Sequence, residues 1–140
     1  LSQVGFTGHV PETDKIALLR ACRAVALPSH LRSEAYGMAL VEAALCAKPM
    51  ISCEIGTGTS YINVDGVTGH VVPPRDPAAL ARAMRELAED GALAIRLGKA
   101  ARARYDELFC GPATGRAHQT LYSEALSAGK KPAATKTIRR

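Results

Sequence analysis

The sequence is poor in aromatic residues, since it has no tryptophan, two phenylalanines and four tyrosines. Proteins that bind single-stranded nucleic acid stack bases on aromatic side chains, and such platforms are scarce here. The net charge of +5 does not restore that function, because five positive residues lie in the acid-free segment 130–140 and the other 13 basic residues equal the 13 acidic ones in number. We therefore predict no nucleic-acid partner, and we expect residues 129–140 to form a basic, disordered tail.

A long hydrophobic run is also missing, because no apolar stretch approaches the roughly 20 residues that a transmembrane helix needs. The chain opens with LSQVGFTGHV, which carries neither an initiator methionine nor a signal-peptide pattern. We interpret the chain as a fragment of a larger protein. Its 140 residues suffice for one domain with a hydrophobic core, and we expect that domain to span residues 1–128.

Metal-ligand spacings are missing as well. The four cysteines show no C-x-x-C pattern and the four histidines no H-x-x-x-H pattern. The cysteines are Cys22, Cys46, Cys53 and Cys110, and the histidines are His9, His30, His70 and His118. We predict no metal site, and we interpret the cysteines as small buried apolar residues in a reducing, cytoplasmic compartment.

Apolar periodicity predicts strands that alternate with helices over the first half of the chain. We place the strands near residues 3–7, 24–28, 49–53 and 69–72. Short connections of this kind predict a Rossmann-like parallel sheet with helices on both faces, an α/β fold in which ligands bind beyond the carboxyl ends of the strands. After Asp76-Pro77 the pattern predicts amphipathic helices only, over residues 78–90, 92–109 and 113–126.

The stretch SEAYGMALVE contains two carboxylates, Glu34 and Glu42, around an uncharged run. If the run is helical, residues eight apart lie about 80° apart around the axis, so both carboxylates face one side. Glu34 follows the strand VALPS, where a parallel sheet places its ligand. A helix that begins around Tyr36-Gly37 presents unpaired first-turn amides, a site suited to phosphate. These amides belong to Tyr36, Gly37, Met38 and Ala39, and the glycine lets a ligand approach the backbone closely.

Glu42 is the only charged residue between Gly37 and Ala47. A carboxylate on so apolar a helix needs a partner, and paired ligand hydroxyls would supply one. Two structural alternatives remain open at this point: Glu34 caps a helix, and Glu42 is an ordinary surface residue.

The segment SEAYGMALVEA resembles the E-x-x-x-x-x-x-x-E signature of retaining nucleotide-sugar glycosyltransferases, a group that includes glycogen-synthase-like and bacterial polysaccharide enzymes. The segments VGFTGHV, VALPS, AKPMIS and DGVTGHVVPPRDPAALARAM are similar, in order and spacing, to that family's carboxyl-terminal domain. The resemblance implies a GT-B architecture, in which two Rossmann-like domains enclose the active site. The chain would supply most of the second, nucleotide-sugar-binding domain.

The resemblance also implies roles for single residues. Glu34 would contact the hydroxyls of the donor sugar as the catalytic-site carboxylate, and Glu42 would hold the nucleotide ribose. The amides of residues 36–39 would hold the diphosphate and the sugar, and the backbone at His9 and Val10 would lie beside the base. Neither metal nor cofactor is implied, and the segment GTGTSYIN is similar to mannosyl-transferring relatives, which favours GDP-mannose as the donor substrate.

The implied function is transfer of a hexose to a glycan or lipid-linked acceptor in polysaccharide biosynthesis, with the acceptor bound by an amino-terminal domain. The enzyme would work in the cytoplasm, and peripheral association with the inner face of the membrane stays open. The family's phosphate-binding Arg and Lys precede VGFTG, so we expect this chain alone to be inactive. A nucleotide-sugar epimerase of the same architecture and a non-catalytic nucleotide-binding module remain alternatives. Gly56 and Gly58 form either a backbone nest near the donor or simple loop punctuation.

Overall fold

The computed structural model describes residues 4–128, and the tail predicted at 129–140 lies outside the described residues. The described part contains three strands that form one sheet in the order β1-β2-β3, with both neighbouring pairs parallel. The strands are β1 (Val25–Leu27), β2 (Met50–Cys53) and β3 (Gly69–Val72). The helices are α1 (Glu12–Ala21), α2 (Met38–Leu45), α3 (Thr59–Ile62), α4 (Pro77–Glu89), α5 (Gly91–Arg104) and α6 (Gly111–Ala128), and a π-helical turn, Tyr105–Phe109, continues α5.

Strand β2 is buried along its whole length, and its alternate side chains enter two different cores. Met50 packs with the buried residues of α2, whereas Ile51 and Cys53 pack with those of α4 and α5. Successive strand residues point to opposite faces, so helices cover the sheet on both sides. This arrangement confirms the predicted Rossmann-like α/β fold.

Helices α4 and α5 begin at aspartate caps. The Asp76 carboxylate accepts a hydrogen bond from the Ala79 amide at 2.8 Å, and the Asp90 carboxylate accepts one from the Leu93 amide at 2.8 Å. Asp76 precedes a proline at the first helical position, where the missing N–H costs nothing. The three predicted carboxyl-terminal helices are present, and a single aspartate separates α4 from α5.

The buried side chain of Asn63 is hydrogen-bonded to both β2 and β3. The Asn63 Nδ2 group donates to Ser52 Oγ at 2.9 Å and to the His70 carbonyl oxygen at 2.9 Å. Its Oδ1 accepts from the Thr68 hydroxyl at 3.0 Å. Asn63 is 0% exposed, so these bonds replace the water that its amide loses on folding.

The strand predicted near residues 3–7 is wrong. Residues 4–7 have no regular secondary structure, and Phe6 is 96% exposed. A strand is stabilised by a paired neighbour and a packed face, and the described residues give this segment neither. The prediction that a helix begins around Tyr36-Gly37 also needs correction, because α2 begins at Met38 and Gly37 caps it in a left-handed conformation with φ of 97°.

Candidate functional site

The loop after β1 carries Glu34 to the carboxyl edge of the sheet, as its position after VALPS predicted. Glu34 is half-buried and borders a shallow pocket of about 280 Å³. The other lining residues are Ser29, His30, Leu31 and Ser33. Glu34 lies four residues before α2, so it is not a cap of that helix, and its predicted contact with a donor sugar stays a prediction.

Gly37 joins this loop to α2 and is required by its own surroundings. The residue is buried with φ of 97°, a conformation that side-chain-bearing residues rarely adopt. A Cβ at this position would lie 3.1 Å from Leu40 Cδ1 and 3.3 Å from Thr59 Cγ2. Packing and backbone conformation therefore explain the glycine without a ligand.

The amino-terminal turn of α2 opens toward the Glu34 loop. The Leu40 and Val41 amides already donate to the Gly37 carbonyl oxygen, at 2.9 and 3.4 Å. The amides of Met38 and Ala39 come before these first intrahelical donors, so they lie at the open end of the helix. Of the four amides predicted to hold a phosphate, these two belong to the helix, whereas those of Tyr36 and Gly37 belong to the loop before it.

Glu42 has a partner, as its apolar helix predicted, but that partner is a protein side chain, whereas the prediction named ligand hydroxyls. The Lys15 ammonium donates to Glu42 Oε1 at 2.9 Å and also contacts Glu12 Oε2 at 2.9 Å. The bond with Glu42, followed by the bond with Glu12, raises the pKa of Lys15 above its usual value. Sequence reasoning missed Lys15, and the available signal was its spacing three residues after Glu12 on an exposed helix.

Glu42 and Lys15 line a cavity of about 520 Å³ between α1, α2 and α5. The cavity combines apolar walls with charged groups, and its other lining residues are Glu12, Ile16, Leu19, Arg20, Leu45, Cys46, Ala47 and Arg102. Glu34 borders the shallow pocket instead, so the structure does not bring the two glutamates into one cavity. The helical spacing argument fails because only Glu42 lies on α2.

His9 and Val10 lie in the segment that leads into α1. His9 is exposed and Val10 is half-buried, and they follow Gly8, whose φ of 62° turns the chain. Neither residue is among those that line the two cavities above. Their proximity to a nucleotide base stays a prediction.

A third carboxylate, Glu54, stands directly after β2 at the same edge of the sheet. Its pKa is lowered by the nearby Ser60 hydroxyl and by the Gly56 amide, which donates to Glu54 Oε1 at 2.8 Å. The Ser60 Oγ has no partner with hydrogen-bond geometry among the described residues, so the Gly56 amide is the better-formed contact. Sequence reasoning missed Glu54, although an acid that ends a buried strand at the ligand edge was an available signal.

The described residues contain no group of three or more His, Cys, Asp or Glu side chains that could hold a metal ion. Among the helices of the part of the chain that is described, none combines the length and hydropathy needed to cross a membrane.

The family described as "Glycosyl transferases group 1" matches residues 1–104. O-antigen chain mannosyltransferase C of Escherichia coli is 48% identical over 126 residues, which are 90% of this chain and 34% of that protein. D-rhamnosyltransferase WbpZ of Pseudomonas aeruginosa is 56% identical over 109 residues, which are 78% of this chain and 29% of that protein. The chain thus spans about a third of the length of these relatives.

The fold also resembles those of solved structures, of which two illustrate the similarity. Sucrose-phosphate synthase from Thermosynechococcus elongatus superposes with a TM-score of 0.79 at 30% identity, over 91% of this chain and 31% of that one. The Anabaena protein HepE in complex with UDP-glucose superposes with a TM-score of 0.67 at 28% identity, over 76% of this chain and 29% of that one.

Proposed function

The chain belongs to the group 1 glycosyltransferases, and we propose that it holds the nucleotide-sugar donor while the full-length protein transfers a hexose to a glycan or lipid-linked acceptor. The observation that carries the proposal is the setting of Glu42. Its carboxylate lies at the wall of a 520 Å³ cavity, held at 2.9 Å by Lys15, on the helix whose open end faces the Glu34 loop. A carboxylate so held is a preorganised acceptor for sugar hydroxyls.

We propose a division of roles between the two glutamates. Glu42 receives the ribose hydroxyls with its Oε2, since Lys15 engages only Oε1. Glu34, four residues before α2, contacts the donor sugar as the catalytic-site carboxylate. The amides of Met38 and Ala39, with those of Tyr36 and Gly37 just before them, hold the diphosphate, since a helix amino terminus favours negative charge. The backbone at His9 and Val10 lies beside the base.

We propose mannose as the transferred hexose and GDP-mannose as the donor. The similarity to the mannosyltransferase and the rhamnosyltransferase supports a polysaccharide product and the transfer of a hexose or a deoxyhexose. The HepE complex with UDP-glucose supports a nucleotide-sugar as the ligand of this fold. We further propose that transfer retains the anomeric configuration, that no metal or cofactor takes part, and that the acceptor binds the part of the protein outside this chain.

The test is an assay of the full-length protein with GDP-mannose and UDP-glucose, each with a lipid-linked glycan primer. We expect transfer from GDP-mannose, and nuclear magnetic resonance of the first product to show the anomeric configuration of the donor. Glu34→Ala is the matched variant, expected to abolish most transfer while the protein stays folded. Epimerisation of the sugar at C2 without transfer, or nucleotide binding with no reaction of either donor, would contradict the proposal.

A further inference from the structure

The loop after β2, residues 54–58, packs directly against the loop that carries Glu34, together with Thr59 at the start of α3. The Gly58 amide donates to the Ala35 carbonyl oxygen at 2.9 Å, which joins the two loops through their backbones. Beside this bond, the methyl group of buried Thr59 lies against Gly37, where an added Cβ would be 3.3 Å from it. Residues 35–37 are therefore in direct contact with Gly58 and Thr59.

Gly58 leaves no room for a side chain. A Cβ there would lie 2.8 Å from Tyr36 Cδ2, 3.0 Å from the Ala35 carbonyl oxygen and 3.1 Å from Tyr36 Cα. Its φ of −61° is ordinary for any residue, so the backbone conformation does not require glycine. The requirement for glycine comes from contact with the neighbouring loop alone.

The supporting loop is itself tied to the sheet. Glu54 Oε1 accepts from the Gly56 amide at 2.8 Å, and the Thr59 hydroxyl reaches the Cys53 carbonyl oxygen at 3.5 Å. Gly56 turns the chain with φ of 66°. Because Cys53 ends β2, these contacts anchor the loop to the buried strand, and a change at Gly58 is relieved at Ala35 and Tyr36.

We propose that Gly58 is a positioning residue for sugar transfer, which sets the place of Glu34 and of the first amides before α2 through the Ala35–Tyr36 peptide. This inference rests on the proposed function, since it assigns Gly58 a role in the same site. Catalytic groups act within narrow limits of position, and a misplacement of about 1 Å can cost on the order of 100-fold in rate. Glu42 lies farther along α2 and is held by Lys15, so it keeps its place when the loop shifts.

The experiment compares Gly58→Ala with Gly66→Ala in the full-length protein. Gly66 is the matched control, because its φ of 70° strains an alanine while no atom lies within 4 Å of the added Cβ. In Gly58→Ala we expect kcat to fall roughly 10-fold or more, with a smaller loss of nucleoside diphosphate affinity, because the Tyr36 and Gly37 amides shift while Glu42 does not. We expect amide hydrogen exchange to rise at residues 35–37. In Gly66→Ala we expect lower thermal stability with unchanged kcat and unchanged exchange at those residues.

Thr59→Ser supplies a second, milder variant that removes only the methyl group against Gly37, and we expect a smaller fall in kcat in the same direction. It decides the question if Gly58→Ala does not fold. Wild-type kcat and wild-type exchange at residues 35–37 in the folded variants would overturn the positioning role. Absence of transfer in the wild-type protein would instead refute the proposed function, and the exchange measurement would then decide the positioning role by itself.

Discussion

Glu42→Ala gives the sharpest test of the nucleotide site. The Lys15 ammonium engages Oε1 of Glu42, so we assign the ribose contact to Oε2 and count one lost charge-assisted bond. Such a bond contributes roughly 1.5–3 kcal/mol, which corresponds to about a 10- to 150-fold loss of affinity. The loss belongs to the nucleotide and precedes chemistry, so we expect it for free nucleoside diphosphate and for the donor alike.

Glu34→Ala is the comparison, because its proposed partners are hydroxyls of the sugar. We expect this variant to bind free nucleoside diphosphate almost normally while kcat/KM for transfer falls steeply. Isothermal titration of both full-length variants with the nucleoside diphosphate, beside thermal melts that establish folding, separates the two roles. Near-wild-type affinity in both folded variants would refute the placement of Glu42 on the ribose, and an equal large loss in both would refute the division of labour between the glutamates.

Four further outcomes test the fold and the site. Asn63→Ala leaves hydrogen-bond partners on β2 and β3 without their bonds, and we expect chemical denaturation to show that the free energy of unfolding falls by roughly 2–4 kcal/mol. A fall below ~1 kcal/mol would refute the stabilising role of these hydrogen bonds. A Cβ at Gly69 overlaps the Met50 carbonyl oxygen, whereas one at Gly115 meets nothing within 4 Å, so we expect Gly69→Ala to prevent folding and Gly115→Ala, in α6, to raise stability by up to about 1 kcal/mol. Because the bonds with Glu42 and Glu12 raise the pKa of Lys15, they stabilise the folded state fully below pH 10.5, the unshifted value, and this stabilisation is lost as the pH rises through the higher pKa of the folded state. In thermal melts over that alkaline range, the melting temperature of Lys15→Met is therefore expected to fall less than that of wild type. Since we propose that no metal takes part in donor binding, we expect donor affinity to be the same in magnesium and in EDTA, and a strict metal requirement would contradict this.

The sequence predicted the three strands of the sheet correctly, whether buried like β2 or partly exposed like β1. The segments that became β1, β2 and β3 are short apolar runs bounded by proline or glycine, a pattern that depends on local residues alone. The segment around Phe6 has similar residues, but its secondary structure depends on neighbours that a local pattern does not contain. The start of α2 was placed one to two residues early, because the left-handed conformation of Gly37 and its close approach to Leu40 and Thr59 are not apparent from the local residue pattern.

The site was predictable in part. Glu34 lies in the expected loop because a strand with a recognisable end, VALPS, precedes it. The pairing of Lys15 with Glu42 was not predictable, since the two residues are 27 positions apart and meet only where α1 approaches α2. The proposed role of Gly58 could not be predicted, because it depends on how closely this residue approaches Tyr36. The sequence alone does not distinguish a glycine required by such a contact from one that occurs in an ordinary loop.

The bonds of Asn63 also bear on how the strands find their correct alignment. The side-chain amide of Asn63 donates both to the Ser52 side chain on β2 and to the His70 carbonyl oxygen on β3. In the observed pairing Ser52 lies opposite Val71, so the two acceptors are offset by one residue. If β3 slid by one residue, every side chain would change face. If it slid by two, the faces would be kept and another backbone carbonyl would replace that of His70, but the Thr68 hydroxyl, which precedes β3, would move by about 7 Å from Asn63 Oδ1. Asn63 therefore discriminates against the one misalignment that hydrophobic burial alone would tolerate.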